Sequence, residues 1–359
     1  MRTGGAMSGG MRKHFLAVAP RLLRDPRIDD LRILLPRGAL RDLPDLPIVE
    51  WDAGVGDGRA VRAAMDDFPA DVVFVPSARY VGRRGARSVV MVRNMEPLET
   101  PFAGNRLVDR LKNVARAVAA RRACRRADRI IAVSNHVRDH LVDRLNIAAS
   151  RIGVVYHGAE PPAPPRTPSA LPDLTGSPFV FSAGSIRPAR GLIDLVRALS
   201  DPRLPADLQL VFAGKADPGA EHYEARLRRL AEDSGVAGRI HWLGHCDRSA
   251  MSWGFLNCAL FVMTSRAEAC PNTVLEALSH ACLSVSGDNA PMPEFFGDAA
   301  LYYRIGDSGS LASQMVRALA LSPTERQALR ERAAERAQRF SWDRCADRTV
   351  EELLAARDA

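Results

Sequence analysis

Short apolar runs alternate with longer stretches whose apolar residues recur every three or four positions, and this alternation persists along nearly the whole chain. Runs of strand length are Leu31 to Leu35 (LRILL), Ile48 to Trp51, Val72 to Val75 (VVFV), Ser88 to Val92 (SVVMV), Arg129 to Ser134 and Arg151 to His157, followed later by Phe179 to Ala183 (FVFSA), Leu208 to Ala213, Arg239 to Leu243 and Ala259 to Met263. Helical spacing marks Met11 to Leu23, Gly58 to Phe68, Asn105 to Arg129, the stretches from Asn135, Leu192 and Glu221, and then Thr273 to Ala281, Ser310 to Ala320 and Pro323 to Phe340. Strands separated by helices in this way predict an α/β fold with parallel sheets. Gly158 to Asp173 interrupts the rhythm with six prolines, which suits a linker and not a regular element. A chain of 359 residues, 47% hydrophobic, is long enough for two cores. The expected division is therefore 1–160, a linker at 161–173, and 174–340.

Charge narrows the partners. The formal net charge is +8 with a pI near 9.6, carried almost wholly by arginine, since Lys13, Lys112 and Lys215 are the only lysines. Such a balance favours nucleotide phosphates or acidic lipid headgroups. Between 105 and 129, Arg106, Arg110, Lys112, Arg116, Arg121, Arg122, Arg125, Arg126 and Arg129 are interleaved with Leu, Val and Ala. That pattern is either a solvated helix face or a surface that lies on an anionic membrane. It has no interleaved aromatics to stack bases, so nucleic acid is not an expected partner. No run of eighteen apolar residues and no apolar segment typical of a secretory signal are present, and six cysteines without a C-x-x-C pair suit structural thiols in a reducing cytoplasm.

The richest chemistry lies between Ser265 and Glu294. The apolar run ending at Met263 leads into a loop, and Pro271 with Asn272 then opens a helical pattern. The free N–H groups of a helix start suit an anion. Glu268 precedes that start, Glu276 lies about one turn inside it, and seven residues separate them. Carboxylates repel phosphate, so their partners would be hydroxyls, and phosphate together with sugar hydroxyls describes a nucleotide sugar. A second candidate follows Ala183, where Gly184, Ser185, Ile186, Arg187, Pro188, Ala189, Arg190 and Gly191 precede the helix from Leu192. Strand, glycine turn, cations and helix start would cradle a diphosphate.

The two spaced acids, the segment CPNTVLEAL and its continuation GDNAPMPEFFGDAALYY resemble the donor-site signature of the retaining, GT-B-fold glycosyltransferases of family 4. ADRIIAVSNHVRDHL with VVYHGAEP resembles the end of that family's first domain, and Phe340-Ser341-Trp342-Asp343-Arg344 its closing segment. The resemblance implies two Rossmann-like domains facing across a cleft, with a final helix, about 341–359, crossing back to the first. It implies transfer of a hexosyl unit from a UDP-, GDP- or ADP-sugar to an acceptor hydroxyl with retained configuration, as in cell-envelope glycan, lipopolysaccharide or glycolipid synthesis. Some similar enzymes act on lipid-linked acceptors at the cytoplasmic leaflet.

Carried over residue by residue, the resemblance makes Arg190 and Arg187 the neutralisers of the departing diphosphate, beside Gly184 and Ser185 and the N–H groups around Pro271, Asn272, Thr273 and Val274. It puts Glu268 on sugar hydroxyls near the reacting centre and Glu276 on the ribose. With no Asp-x-Asp and no His/Cys cluster in the chain, neither a catalytic metal nor another cofactor is expected. Departures are visible: Arg190 stands in a lysine place, Ser185 in an arginine place, Ala281 where glycine is usual and Leu283 where proline is usual. Gly9 and Gly10 correspond to the family's Gly-rich loop facing donor and acceptor, or else belong to a flexible N-terminus. The strand that normally precedes that loop is missing, which shortens the first domain and leaves open an upstream start. Arg93-Asn94 stands where relatives often have His-Asp and is assigned to a sugar contact, with a solvated loop as the alternative. An epimerase or phosphorylase on the same architecture and a non-catalytic scaffold are the competing readings.

Overall fold

The computed structural model describes residues 9–39, 45–51, 65, 68–99, 105–171, 174 and 176–359. The chain forms two compact units. The first comprises Met1–Arg93, Ala115–Gly158 and Ser341–Ala359, and the second Asn94–Val114 and Ala159–Phe340. Residues 94–114, expected in the first domain, thus cluster with the second unit.

In the first unit, helix α1 (Gly9–Leu23) is followed by β1 (Ile33–Pro36), β2 (Ile48–Trp51), β3 (Val72–Val75) and β4 (Arg87–Val92). A short helix α2 (Glu96–Glu99) and the long α3 (Leu107–Arg126) come next, then β5 (Arg129–Ala132), α4 (Asn135–Leu145) and β6 (Ile152–Val154). The helix expected over 58–68 falls mostly outside the described residues. All pairings are parallel, but the strands form two sheets, β1-β2 and β3-β4-β5-β6. The central strands are apolar on both faces, as covered parallel strands must be. Val89 to Val92 and Ile130 to Ala132 are accordingly fully buried. Ser134 caps α4 by accepting the Val137 N–H, and Asn146 closes it in the left-handed conformation.

The second unit runs β7 (Phe179–Ala183), α5 (Leu192–Leu199), β8 (Gln209–Ala213), α6 (Glu221–Asp233), β9 (Ile240–Gly244), α7 (Arg248–Asn257) and β10 (Leu260–Met263), then α8 (Asn272–Ser279), β11 (Ser284–Gly287), α9 (Met292–Phe296), β12 (Ala300–Tyr303), α10 (Ser308–Leu319) and α11 (Pro323–Ala337). Its six strands form one parallel sheet in the order β12-β11-β10-β7-β8-β9. The order reverses between β7 and β10, and in such sheets ligands bind outside the carboxyl ends of the strands at that reversal. The Pro-rich segment does not hang free: the Ala163 N–H donates to Ser252 Oγ at 3.0 Å, Arg248 donates to the Pro161 carbonyl at 3.1 Å, and Arg166 pairs with Asp247. It is laid along α7 as part of the second unit.

The last helix, α12 (Trp342–Arg357), belongs to the first unit, where it packs on α1 and on β3, β4 and β5. Arg21 holds Asp343 at 2.7 Å. Buried His14 packs against both His157 and Trp342, with ring centroids 5.3 and 6.1 Å away. Burial, with the Arg93 charge added, pushes the His14 imidazole down to about 3, so it is neutral in the fold.

Candidate active site

Two loops meet at the carboxyl ends of β7 and β10. After β7 the chain turns at Gly184, whose φ of +133° is open chiefly to glycine, and reaches a 3-10 turn at Pro188–Arg190. The Arg190 guanidinium folds back over that turn, and a Cβ on Gly184 would come within 2.9 Å of it. At Gly191, φ is +63° and a Cβ would meet the Thr264 carbonyl at 2.2 Å. Both glycines therefore serve close approach. Thr264 fixes the second loop against the first by donating its hydroxyl to the Arg190 carbonyl at 2.7 Å, and the Arg266 N–H donates to the Ala189 carbonyl at 2.8 Å.

Arg190 and Glu268 form an ion pair at 2.6 Å, with side chains only 15% and 12% exposed. Arg190 also donates to Ser265 Oγ at 3.1 Å, while its Nε is buried without an acceptor among the described residues. Burial pushes the guanidinium pKa down, Glu268 pulls it up, and Arg187 adds to the lowering. A half-satisfied cation beside a turn is a ready partner for an anion. Arg187 lies in the same loop but reaches elsewhere, to Glu96 at 2.7 Å and Asp217 at 3.8 Å. Its charge is thus shared with two carboxylates, and its Nε is likewise buried without an acceptor among the described residues.

The acidic loop ends at Pro271, which has no side-chain group to cap α8. The first N–H groups of that helix are left for another acceptor. Val274 is an exception among the expected donors, since its N–H bonds to the Pro271 carbonyl at 3.0 Å and its side chain is fully buried. The Asn272 Oδ1 is buried without a partner among the described residues. Glu276 is half-buried one turn into α8. Asn289 holds the acidic loop in place by donating to the Ser265 and Arg266 carbonyls at 3.1 and 3.2 Å.

Gly184, Ser185, Arg187, Arg190, Glu268, Pro271, Asn272, Thr273, Val274 and Glu276 therefore all lie on three neighbouring segments of the second unit. The remaining expected residues do not. Gly9 and Gly10 are not loop residues: they form the first turn of α1. Arg93 donates to the Gly10 carbonyl at 2.7 Å, so at least one of its donors serves the docking of α1. Asn94 accepts the Glu96 N–H at 3.1 Å and starts α2. Sequence reasoning missed Ser265, Asn289, Glu96 and Asp217 as partners of the site. Only Glu96 left a trace, as an acid followed by proline at a helix start; the others are ordinary polar residues brought in by tertiary contact. Among the described residues no cluster of three or more His, Cys, Asp or Glu is placed to hold a metal ion.

The profile of the group 1 glycosyl transferases matches residues 168–339, and that of glycosyltransferase family 4 matches 9–161. A D-inositol 3-phosphate glycosyltransferase from Catenulispora acidiphila is 24% identical over 97% of this chain and 91% of its own length. A second, from Mycolicibacterium smegmatis, is 27% identical over 67% of this chain, an alignment that spans about half (55%) of that relative. Among solved structures, a sucrose-phosphate synthase from Thermosynechococcus elongatus superposes with a TM-score of 0.77 at 16% identity, covering 98% of this chain and 96% of the other. HepE from Anabaena in complex with UDP-glucose superposes with 0.75 at 17% identity, covering 97% of each. These likenesses are to the GT-B fold. With both halves matched, and with paired Arg190 and Glu268 at the sheet reversal ahead of α8, the chain belongs to the group 1, family 4 glycosyltransferases.

Proposed function

We propose that this glycosyltransferase moves a hexosyl unit from a nucleoside diphosphate sugar to an acceptor hydroxyl with retained anomeric configuration. The observation that carries the reading is the Arg190–Glu268 pair at the carboxyl ends of β7 and β10, ahead of the side-chain-uncapped start of α8. Breaking the bond between the anomeric carbon and the diphosphate leaves positive charge on the sugar ring and negative charge on the departing oxygen. Arg190, with α8's first N–H groups, stabilises that oxygen; Glu268 accepts hydrogen bonds from sugar hydroxyls, and Glu276 from the ribose. The departing phosphate takes the acceptor's proton on the same face as the bond that breaks. The protein then contributes position and fixed charge rather than a separate acid and base. Arg187, pinned to Glu96 and Asp217, tunes the charge beside Arg190.

The same reading extends to a lipid-linked acceptor at an anionic membrane surface. Leu107, Leu111 and Val114 are 76%, 70% and 59% exposed, and together with Val118 form one stripe of α3, on a different side from its buried Asn113, Ala117 and Ala120. Arg110, Arg121, Arg122 and Arg125 border or continue the stripe, and all are exposed. Apolar residues rimmed by arginine suit the headgroup boundary of acidic lipids. Among the described residues no helix is long and apolar enough to cross a membrane.

A thermal-shift screen against UDP, GDP, ADP and their sugar conjugates, with and without EDTA, tests the donor site. One nucleotide is expected to raise the melting temperature in both conditions. No shift with any of them overturns the reading, and a shift abolished by EDTA overturns the metal independence. Sedimentation with vesicles of phosphatidylcholine alone and with added phosphatidylglycerol tests the membrane contact, for which binding to the anionic vesicles only is expected.

A further inference from the structure

The loop after β7 carries two guanidinium groups, and carboxylates from three other segments converge on them. Arg190 pairs with Glu268 at 2.6 Å, and Arg187 pairs with Glu96 at 2.7 Å and Asp217 at 3.8 Å. Asp217 and Glu96 are fixed there by their backbones. The Ile186 N–H donates to the Lys215 carbonyl at 2.9 Å and the Asp217 N–H to the Ile186 carbonyl at 3.3 Å, which keeps Asp217 beside the loop. Glu96 opens α2, a single turn anchored by buried Met95 and Leu98 and closed by the Leu98 and Glu99 N–H groups on the Met95 carbonyl. This turn belongs to the second unit, as does the loop it meets. The Glu96 side chain is 14% exposed and that of Asp217 45%, so Glu96 is the partner of Arg187 held out of water.

These pairs leave both arginines incompletely bonded. The Nε of Arg187 and the Nε of Arg190 are each buried with no acceptor among the described residues. The charges also act on one another: burial lowers the Arg190 pKa, and after it the charges of Glu268, Arg187, Asp217 and Glu96 all bear on that group. Three carboxylates thus face two guanidinium groups, and a diphosphate arriving here adds further negative charge. In a site sheltered from water, two anions held on one cation repel each other strongly.

We propose that Glu96 competes with the donor diphosphate for Arg187, so that this carboxylate sets the affinity for the donor. The diphosphate binds as Arg187 exchanges Glu96 for phosphate oxygens. The inference rests on the donor site proposed above. Of the three carboxylates, Glu268 is paired with the other arginine, and Asp217 is in contact with water and, at 3.8 Å, too far from Arg187 for a hydrogen bond. Glu96 alone makes a close, sheltered pair with Arg187. Arg187 is also not in the arginine place of the resembled family, which Ser185 takes here, so the exchange is a property of this chain's own loop.

The test is titration calorimetry of the full chain with UDP, GDP and ADP, repeated on Glu96→Gln, Asp217→Asn, Arg187→Ala and the double variant of Glu96→Gln with Arg187→Ala. Glutamine keeps the shape of the side chain and removes its charge. The diphosphate that binds the unaltered chain is expected to bind Glu96→Gln about tenfold more tightly, the scale of one charge-assisted hydrogen bond no longer broken on binding. In the Arg187→Ala background the same substitution is expected to gain less than about threefold, because the two residues act through one pair. The proposal is overturned if Glu96→Gln binds no more tightly, or if its gain is as large without Arg187 as with it, since Glu96 would then only repel the donor from a distance. It is also overturned if Asp217→Asn gains as much as Glu96→Gln. If none of the three diphosphates binds the unaltered chain, the donor site itself fails and this inference falls with it; binding that Glu96→Gln leaves unchanged overturns the inference alone.

Discussion

The two units apply the same pattern of parallel strands and covering helices, and they differ in how far it is completed. In the second, six strands share one sheet, and β7, β10 and β11 are buried at every position. In the first, the sheet is divided, and β3 is half-buried along its length. The arginines at the strand ends differ in a related way. Arg190, after β7, is held by a carboxylate and a hydroxyl from the loop after β10. Arg93, after β4, donates to a backbone carbonyl of the helix that lies over its sheet. Arg190 is thus tied across two loops at the sheet reversal, whereas Arg93 is tied to the helix that covers its own sheet.

The largest expected effect comes from breaking the second arrangement and not the first. Arg190→Ala should lower kcat/KM by about 100- to 1000-fold, the usual loss when one donor to a developing negative charge is removed. Arg93→Ala should leave donor affinity within about threefold while lowering the melting temperature, because it loosens α1; the two variants together, assayed for turnover and by calorimetry, decide whether the distinction holds. The next effect lies in acid. An unfolded His14 binds a proton near 6.5 and the folded one only near 3, so below 6.5 the unfolded chain binds more protons and folding weakens as pH falls. About 1.4 kcal/mol per pH unit gives a loss of about 3 kcal/mol by pH 4, which His14→Leu should remove in urea titrations at pH 7 and pH 4.

Glu276→Ala should weaken nucleotide-sugar binding by about 1–3 kcal/mol through lost charge-assisted hydrogen bonds. Unchanged affinity in a calorimetric titration would take the ribose contact away from α8. The smallest effect concerns Ala281, which follows α8 with φ +50°, a conformation strained for any residue with a Cβ. Ala281→Gly should stabilise the second unit by about 0.5–1 kcal/mol, read as a small rise in melting temperature with unchanged activity.

The sequence alone determined the strands and helices closely where period and composition agree. Ile48 to Trp51, Val72 to Val75 and Phe179 to Ala183 are strands with the expected limits, and α5 and α6 begin at Leu192 and Glu221 as expected. The candidate donor-side residues fall on neighbouring segments because the β7 and β10 loops each carry their glycine, cation or acid within a few residues of a strand end. Ala281 in a glycine place was readable as well, and its positive φ explains why glycine is usual there.

What only the tertiary structure decided depends on partners distant in the chain. Arg187 reads as a second phosphate ligand, and only the fold shows that Glu96, ninety-one positions away, pairs with it at 2.7 Å. Gly9 and Gly10 read as a loop through their correspondence to the family's Gly-rich loop, yet they open α1, with the Gly10 carbonyl held by Arg93. The division of the first unit's described strands into two sheets is invisible to any local pattern, since an apolar run has the same composition whichever strand it pairs with. Local sequence sets the backbone period and the buried face. Which groups neutralise one another, and which strands pair, is set by the packing of segments that the sequence leaves far apart.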